Sequence, residues 1–223
     1  MWSDTGLRTA SCRGARRVTW VGRATMGGVI VDSTRLLVLG VTRQEQPATG
    51  YAIMRELAAW EVQDWASVNP GSIYGALRTL VKDGLVVEDT EAARAVGNAR
   101  VRKNSTKYRL TDNGEASFAT LVHNALEVVA PYEGASFMTA LCFLVDLPRT
   151  EVVAALEQRT ARLEEWAHRL ETDEEQKYAT SSTKPPHSVE FVKLAADRLR
   201  GELHFTQALL QRITEGRYLF VGE

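Results

Sequence analysis

The stretch NPGSIYGALRTLVKDGLV, residues 69–86, decides how the first half of the chain reads. Pro70 sits where a first-turn proline is tolerated, because the N–H it lacks would have no partner there. Gly84 is placed as a helix stop. At 100° per residue Ile73, Leu77 and Leu80 gather on one side, with Val81 beside them, as a stripe fit for burial. Gly75, Thr79 and Lys82 point roughly the other way, and Tyr74 and Arg78 run along one flank. The outward face is small or cationic. A helix of this size can enter a major groove about 12 Å wide.

Working outward, Asp32 or Ser33 can cap a short helix, TRLLVLGVTRQ, with Leu36, Leu37, Leu39 and Val41 as its core side chains. QPATG supplies a turn, and Thr49 is an N-cap for GYAIMRELAAW, where Tyr51, Ile53, Met54, Leu57 and Ala58 have helical spacing. A loop over 61–68 leads into the quoted stretch. Beyond Gly84, LVVED reads as a strand and ARVRKNSTKYRLT as a second, with Val101, Tyr108 and Leu110 available for packing. The segment 98–109 carries Arg100, Arg102, Lys103, Lys107 and Arg109 and no acid. Thr111 caps the next helix, DNGEASFATLVHNALEVV. Three short helices, a basic two-stranded ribbon and a further helix is the order of a winged helix-turn-helix domain.

These residues resemble the PadR family of bacterial transcriptional regulators. The resemblance is carried by Gly50-Tyr51, by Pro70-Gly71-Ser72-Ile73-Tyr74, and by Ala76-Leu77, Leu80 and Gly84-Leu85. Tyr108-Arg109-Leu110-Thr111 with Gly114 completes it, over roughly residues 33–120. Two positions depart from the pattern. Asn69 stands where a small hydroxyl residue is usual, and Gly75 follows Tyr74 where proline is usual. Gly75 should loosen the helix by up to about 1 kcal/mol relative to alanine. The resemblance implies a dimeric DNA-binding repressor, often released by a small effector. The residues expected at double-stranded DNA, read as a palindromic operator, are Ser72, Tyr74, Arg78 and Lys82 on the helix and Arg100, Arg102, Lys103 and Lys107 on the ribbon. Lysine and arginine on phosphate supply affinity, and side chains reaching base edges supply sequence preference.

From Ser136 the pattern changes. SFMTALCFLVDLP reads as an apolar helix stopped at Pro148, and a long helix follows from Thr150. There Leu156, Leu163 and Leu170 recur every seven residues, with Val152 and Trp166 on the alternate seam and Arg159 between them. TSSTKPPH breaks this helix. The last one, from Val189 to about Thr214, carries Val192, Leu199 and Ile213 on one series and Ala196, Leu203 and Leu210 on another. Such a hairpin is expected to leave one seam for a second chain, and twofold closure would set two recognition helices on one duplex. The expected architecture is therefore mainly α with a small β-wing. A basic, disordered segment over 1–31 precedes a winged helix-turn-helix domain over 32–127 and a helical dimerisation domain over 136–216. Trp60, Trp65, Phe137 and Trp166 are candidates for an apolar effector pocket between the two halves.

The bulk numbers limit the alternatives. A hydrophobic share of 44%, a charged share of 25% and a net charge of −1 are ordinary for a soluble globular protein. Any polyanion site must therefore be local. Residues 1–31 hold Arg8, Arg13, Arg16, Arg17 and Arg23 against Asp4, without the apolar stretch of a signal peptide. No run is long and apolar enough to span a bilayer. Cys12 and Cys142 form neither a metal spacing nor a bridge framework, which suits a reducing cytoplasm. The four histidines are scattered, and no metal or cofactor is expected. Glu61, Asp64 and His123 could be imagined as acid–base partners, but no nucleophile elbow or phosphate loop accompanies them, so an enzyme is disfavoured. The remaining rival is a winged helix that binds protein instead of DNA, without specific duplex recognition.

Overall fold

In the computed structural model, residues 31–89, 106–132 and 134–223 are described. The expectations for residues 1–30, and for Arg100, Arg102 and Lys103, lie outside them. Helix α1 (Ser33–Glu45) starts at Asp32, whose carboxylate accepts from the Arg35 amide at 3.2 Å. Its residues 36–42 are all buried, so α1 is a central helix with no solvent face in that stretch. Strand β1 (Ala48–Thr49) and α2 (Gly50–Ala59) follow, with the Thr49 hydroxyl capping α2.

The expected turn at QPATG is thus partly a strand, too short to carry an alternating pattern. The expected 61–68 loop contains a one-turn helix, α3 (Val62–Trp65). Helix α4 (Pro70–Lys82) begins in a capping box. The Ser72 amide donates to Asn69 Oδ1 at 3.0 Å, and the Asn69 amide donates to Ser72 Oγ at 3.0 Å. Asn69 therefore serves as a cap in its own right. At the other end Gly84 has φ +71°, a left-handed conformation that favours glycine. Gly84 N–H then donates to Val81 O and Leu85 N–H to Leu80 O, which closes the helix.

Strands β2 (Val86–Asp89) and β3 (Lys107–Leu110) pair antiparallel, Val86 opposite Leu110 and Asp89 opposite Lys107. Strand β1 pairs along the other edge of β3, with Ala48 opposite Tyr108 and Thr49 opposite Lys107. The two-stranded ribbon read from sequence is thus a three-stranded antiparallel sheet, order β1-β3-β2. Helix α5 (Asp112–Glu127) is capped by the Thr111 hydroxyl, as its sequence suggests.

The apolar segment after residue 134 is a short helix, α6 (Ala135–Leu141), and then a 3-10 turn, Leu144–Asp146. Helix α7 (Arg149–Arg169) runs into a π-helical turn, Leu170–Glu174, and a short α8 (Glu175–Ala179). After a 3-10 turn (Pro186–Ser188) the last helix, α9 (Val189–Thr214), packs back along α7. The chain is mainly helical with a small antiparallel sheet, the winged-helix arrangement followed by a helical hairpin.

Two apolar clusters hold it together. The larger contains the stripes of α1, α2, α4 and α5, and it extends through Phe137, Phe143, Val152 and Leu156 to Leu209, Ile213 and Phe220. The first half and the base of the hairpin therefore share a core. Gly40 marks the closest approach, because a Cβ there would lie 2.2 Å from the Phe143 ring. The join is fixed by polar contacts as well. Arg43 of α1 donates to Glu115 at 2.7 Å and Asp146 at 3.1 Å, and its guanidinium lies 5.0 Å from the Phe118 ring centroid. Val31, assigned with the N-terminal tail from sequence, is buried, and its carbonyl accepts from Ser136 Oγ at 3.1 Å. The smaller cluster joins Leu163, Trp166 and Leu170 to Val192, Ala196 and Leu199 inside the hairpin.

Candidate nucleic-acid interface

Helix α4 lays Ile73, Leu77 and Leu80 into the core, so the amphipathic reading of the opening stretch describes its buried face. The opposite face carries exposed Arg78, Thr79 and Lys82. Among the described residues neither Arg78 nor Lys82 makes an ion pair. In contrast, Arg35, Arg43, Arg149 and Arg162 are all matched to carboxylates. An arginine without a carboxylate partner keeps all its donors for an outside acceptor.

Tyr74 sits on the flank of α4, 40% exposed. Its ring lies against the first turn of α2, so close that a Cβ at Gly50 would be 2.9 Å from one ring carbon. Tyr108 of β3 stands beside it. Burial, then the Glu88 carboxylate across the strands, then Tyr74 raise the Tyr108 phenol above its ordinary pKa. The Tyr108 hydroxyl is thus a protonated donor at neutral pH. On the other flank of α4 a cleft of about 270 Å³ is lined by Asp32, Thr34, Arg35, Ser72, Ala76 and Thr79. Arg35 is tied there to Asp83 at 2.8 Å, so that flank presents mixed charge.

The other sequence candidates divide. Ser72 is engaged in the capping box, its hydroxyl donating to Asn69 O at 2.7 Å. Lys107 is half-buried on β3 between Thr49 and Asp89. Arg109, the last cation of the ribbon, pairs with Asp89 at 3.1 Å.

Of the four aromatic effector candidates, Trp60, Trp65 and Phe137 belong to or border the larger cluster, and Trp166 lies apart from it. Trp60 and Trp65 pack beside the first-half core, where Trp65 Nε1 donates to Trp60 O at 3.1 Å. Phe137 lies beneath the Arg159 guanidinium, 3.8 Å from it, and Trp166 belongs to the separate hairpin cluster. Heptad spacing showed which side chains were apolar but not which cluster each would join.

What sequence reasoning missed is the cation in the hairpin. Arg159 occupies a seam position and is 2% exposed. It donates to the Val128 carbonyl and pairs with Glu202 at 2.5 Å. The signal was its seven-residue spacing from Val152 and Trp166. The seam itself is closed within the chain. Leu199, expected at a dimer seam, is buried against α7, and Leu203 is half-buried beside it. The exposed apolar face of α9 is instead Phe191, Leu194 and Phe205, which are 44%, 59% and 41% exposed, with the Phe191 ring stacked on Tyr132 at 5.1 Å.

Among the described residues no group of three or more His, Cys, Asp or Glu could hold a metal ion. Nor is any described helix long and apolar enough to cross a membrane.

A helix with a capped N-terminus, a buried inner stripe and a cationic outer face, followed by a β-ribbon, is the recognition unit of a winged-helix transcriptional regulator. Residues 38–120 match the model of the transcriptional regulator PadR-like family. A search of curated proteins returns no match.

Solved structures similar to the chain include Bacillus subtilis PadR in complex with p-coumaric acid. It is 20% identical, with 82% of this chain and 99% of that one covered, at TM-score 0.31. The same regulator in complex with operator DNA is 20% identical over 80% and 98% of the two chains, at TM-score 0.31. A PadR-like transcriptional regulator from Bacillus cereus is 16% identical over 82% and 99%, at TM-score 0.33. None of these overlays is close enough to carry a residue's role across.

Proposed function

We propose that this regulator is a sequence-specific repressor that binds a palindromic operator as a homodimer and is released by a small hydrophobic or phenolic effector. The observation that carries DNA binding is the outward face of α4. There Arg78 and Lys82 stand exposed with no ion-pair partner among the described residues, beside Tyr74 and next to the wing. Arg78 is the base reader in this reading, Tyr74 and Lys82 position the helix on phosphate, and Ser72 holds the N-terminal cap that sets its entry. Lys107, with Arg100, Arg102 and Lys103, supplies phosphate contacts from the wing. The domain limits carried into this reading are 32–127 for DNA binding and 136–216 for dimerisation.

The dimer surface is the exposed apolar face of α9. Phe191, Arg198 and Phe205 recur every seven residues, and Leu194 and Gly201 fill the alternate positions. This is the spacing that a second copy of the helix could match. Release by an effector rests on the family match and on the aromatic content at the junction of the two halves. Two of the four candidates lie there: Phe137, under Arg159 and edge-on to the exposed Phe205 at 6.2 Å, and Trp60, 5.8 Å from the Phe143 ring.

The test is Arg78→Ala, measured on a duplex that the protein itself selects from a random pool. The variant should keep its melting temperature and lose discrimination against random duplex. One bidentate guanine contact is worth about 1–3 kcal/mol, so the loss should be roughly tenfold or more per half-site. Equal losses on both duplexes would make Arg78 a phosphate contact, and no loss on either would remove it from the interface.

A further inference from the structure

We infer that Gly50 is a positioning residue for DNA recognition: the missing side chain in the first turn of α2 is the seat in which the Tyr74 ring lies, and that seat fixes where the flank of α4 presents its hydroxyl. This rests on the DNA-binding reading of α4.

Glycine at position 50 is a choice that helix propensity opposes. Gly50 is a helical residue with ordinary negative φ, and alanine there should stabilise α2 by up to about 1 kcal/mol. Backbone conformation therefore gives no reason for glycine. Contact does. A Cβ built on Gly50 falls 2.9 Å from Tyr74 Cε1 and 3.6 Å from Cδ1, while Leu77 Cδ2, at 3.5 Å, is an ordinary neighbour. The obstructed group is the ring alone.

The ring has somewhere to go, because Tyr74 is partly exposed while the rest of the inner face of α4 is buried. A methyl at residue 50 is thus answered by rotation of the ring toward solvent, without opening the core. Restoring an ordinary contact needs a ring shift of roughly half an ångström, and the phenolic oxygen at the rim moves with it. That is enough to impair a hydrogen bond, which weakens steeply with distance and angle. Tyr108 stands beside Tyr74 from β3, near enough that Tyr74 adds to the rise of the Tyr108 phenol after burial and Glu88. The seat thus joins three elements — α2, α4 and the wing strand — that must keep one relative placement to lie on a duplex together.

The experiment is a double-mutant cycle on the full chain, with the selected duplex as probe. Tyr74→Phe should bind about tenfold more weakly, the scale of one hydrogen bond to a charged acceptor. Gly50→Ala should show a similar loss with its fold and melting temperature kept. Gly50→Ala with Tyr74→Phe should be no weaker than Tyr74→Phe alone, because the displaced hydroxyl is already gone. A further loss in the double variant would overturn the proposal, since Gly50 would then act by another route. Should Gly50→Ala prove unstable, Gly50→Ala with Tyr74→Ala must recover that stability, because the obstructing ring is absent. Instability that persists would overturn the seat. Unchanged binding by Tyr74→Phe would overturn both the seat and Tyr74 as a contact. The DNA-binding reading itself would still be judged separately by Arg78→Ala.

Discussion

In the winged-helix half the apolar stripes of the helices are inside, and α4 carries outside two cations, Arg78 and Lys82, without an ion pair among the described residues. In the helical hairpin that order is partly reversed, with Arg159 inside and Phe191, Leu194 and Phe205 outside. The difference separates two kinds of unfinished surface. A cation in water is well solvated and needs no partner to be stable, so the outer face of α4 can wait for a polyanion. An exposed row of large apolar side chains is a standing cost that association removes. One face therefore suits reversible, salt-sensitive binding to DNA and the other a lasting contact with a second chain.

The sharpest way to break this comparison is at Arg159. Its charge is satisfied by Val128 O, by Glu202 and by the Phe137 ring, so Arg159→Ala removes packing and leaves those partners open. Disrupting a buried pair of this kind costs about 3–5 kcal/mol. Glu202 is 27% exposed and can return to water, so Arg159→Met should lose much less than Arg159→Ala in chemical denaturation. Equal losses would mean that the charge, not the volume, holds the base of the hairpin.

Next come the two faces of α9. Leu199→Ala, on the buried face, should cost about 2–5 kcal/mol of stability. Leu194→Glu with Phe205→Glu, on the exposed apolar face, should keep helicity while sedimentation shifts from dimer to monomer. A dimer that survives both charges would place the interface elsewhere. On the cationic side Lys107→Ala should weaken all duplexes alike and lower the salt slope by about 1, as should each of Arg102 and Lys103. An unchanged slope would exclude that residue from phosphate contact.

The smallest expected effect lies at the C-terminal segment. Arg149 donates to both oxygens of Glu223, at 2.5 and 2.7 Å, and to the Tyr218 carbonyl at 2.8 Å. The hydrogen bond from Arg149, then that from the Phe220 amide, lowers Glu223 to about 2. A depressed carboxyl contributes stability above its unfolded value, about 4.3. That contribution fades as pH falls toward about 2. Protease cleavage near residues 216–223 should therefore rise across that window in the parent protein. In Glu223→Gln it should already be high and nearly independent of pH.

Much of the first half could be read directly. The stripe Ile73, Leu77 and Leu80, the stop at Gly84 and the caps at Thr49 and Thr111 depend on neighbours within one or two turns, so local spacing carries them. The limits of α9 could be read for the same reason. Strand β1 could not, because two residues give no period and their pairing with Tyr108 and Lys107 spans some sixty positions. Helix α3 is one turn, below the length at which a pattern appears.

The sequence by itself determined which helix would face outward with cations, since polarity along a helix is fixed by residue order and a 3.6-residue turn. It also determined that the C-terminal helices would carry seven-residue apolar series. Only the tertiary structure decided that those series close on each other, that Arg159 is buried among them, and that the exposed apolar face is Phe191, Leu194 and Phe205. It alone brought Gly50 against Tyr74. Contacts between helices depend on their relative rotation and distance, which are set by how all the side chains fill the core at once.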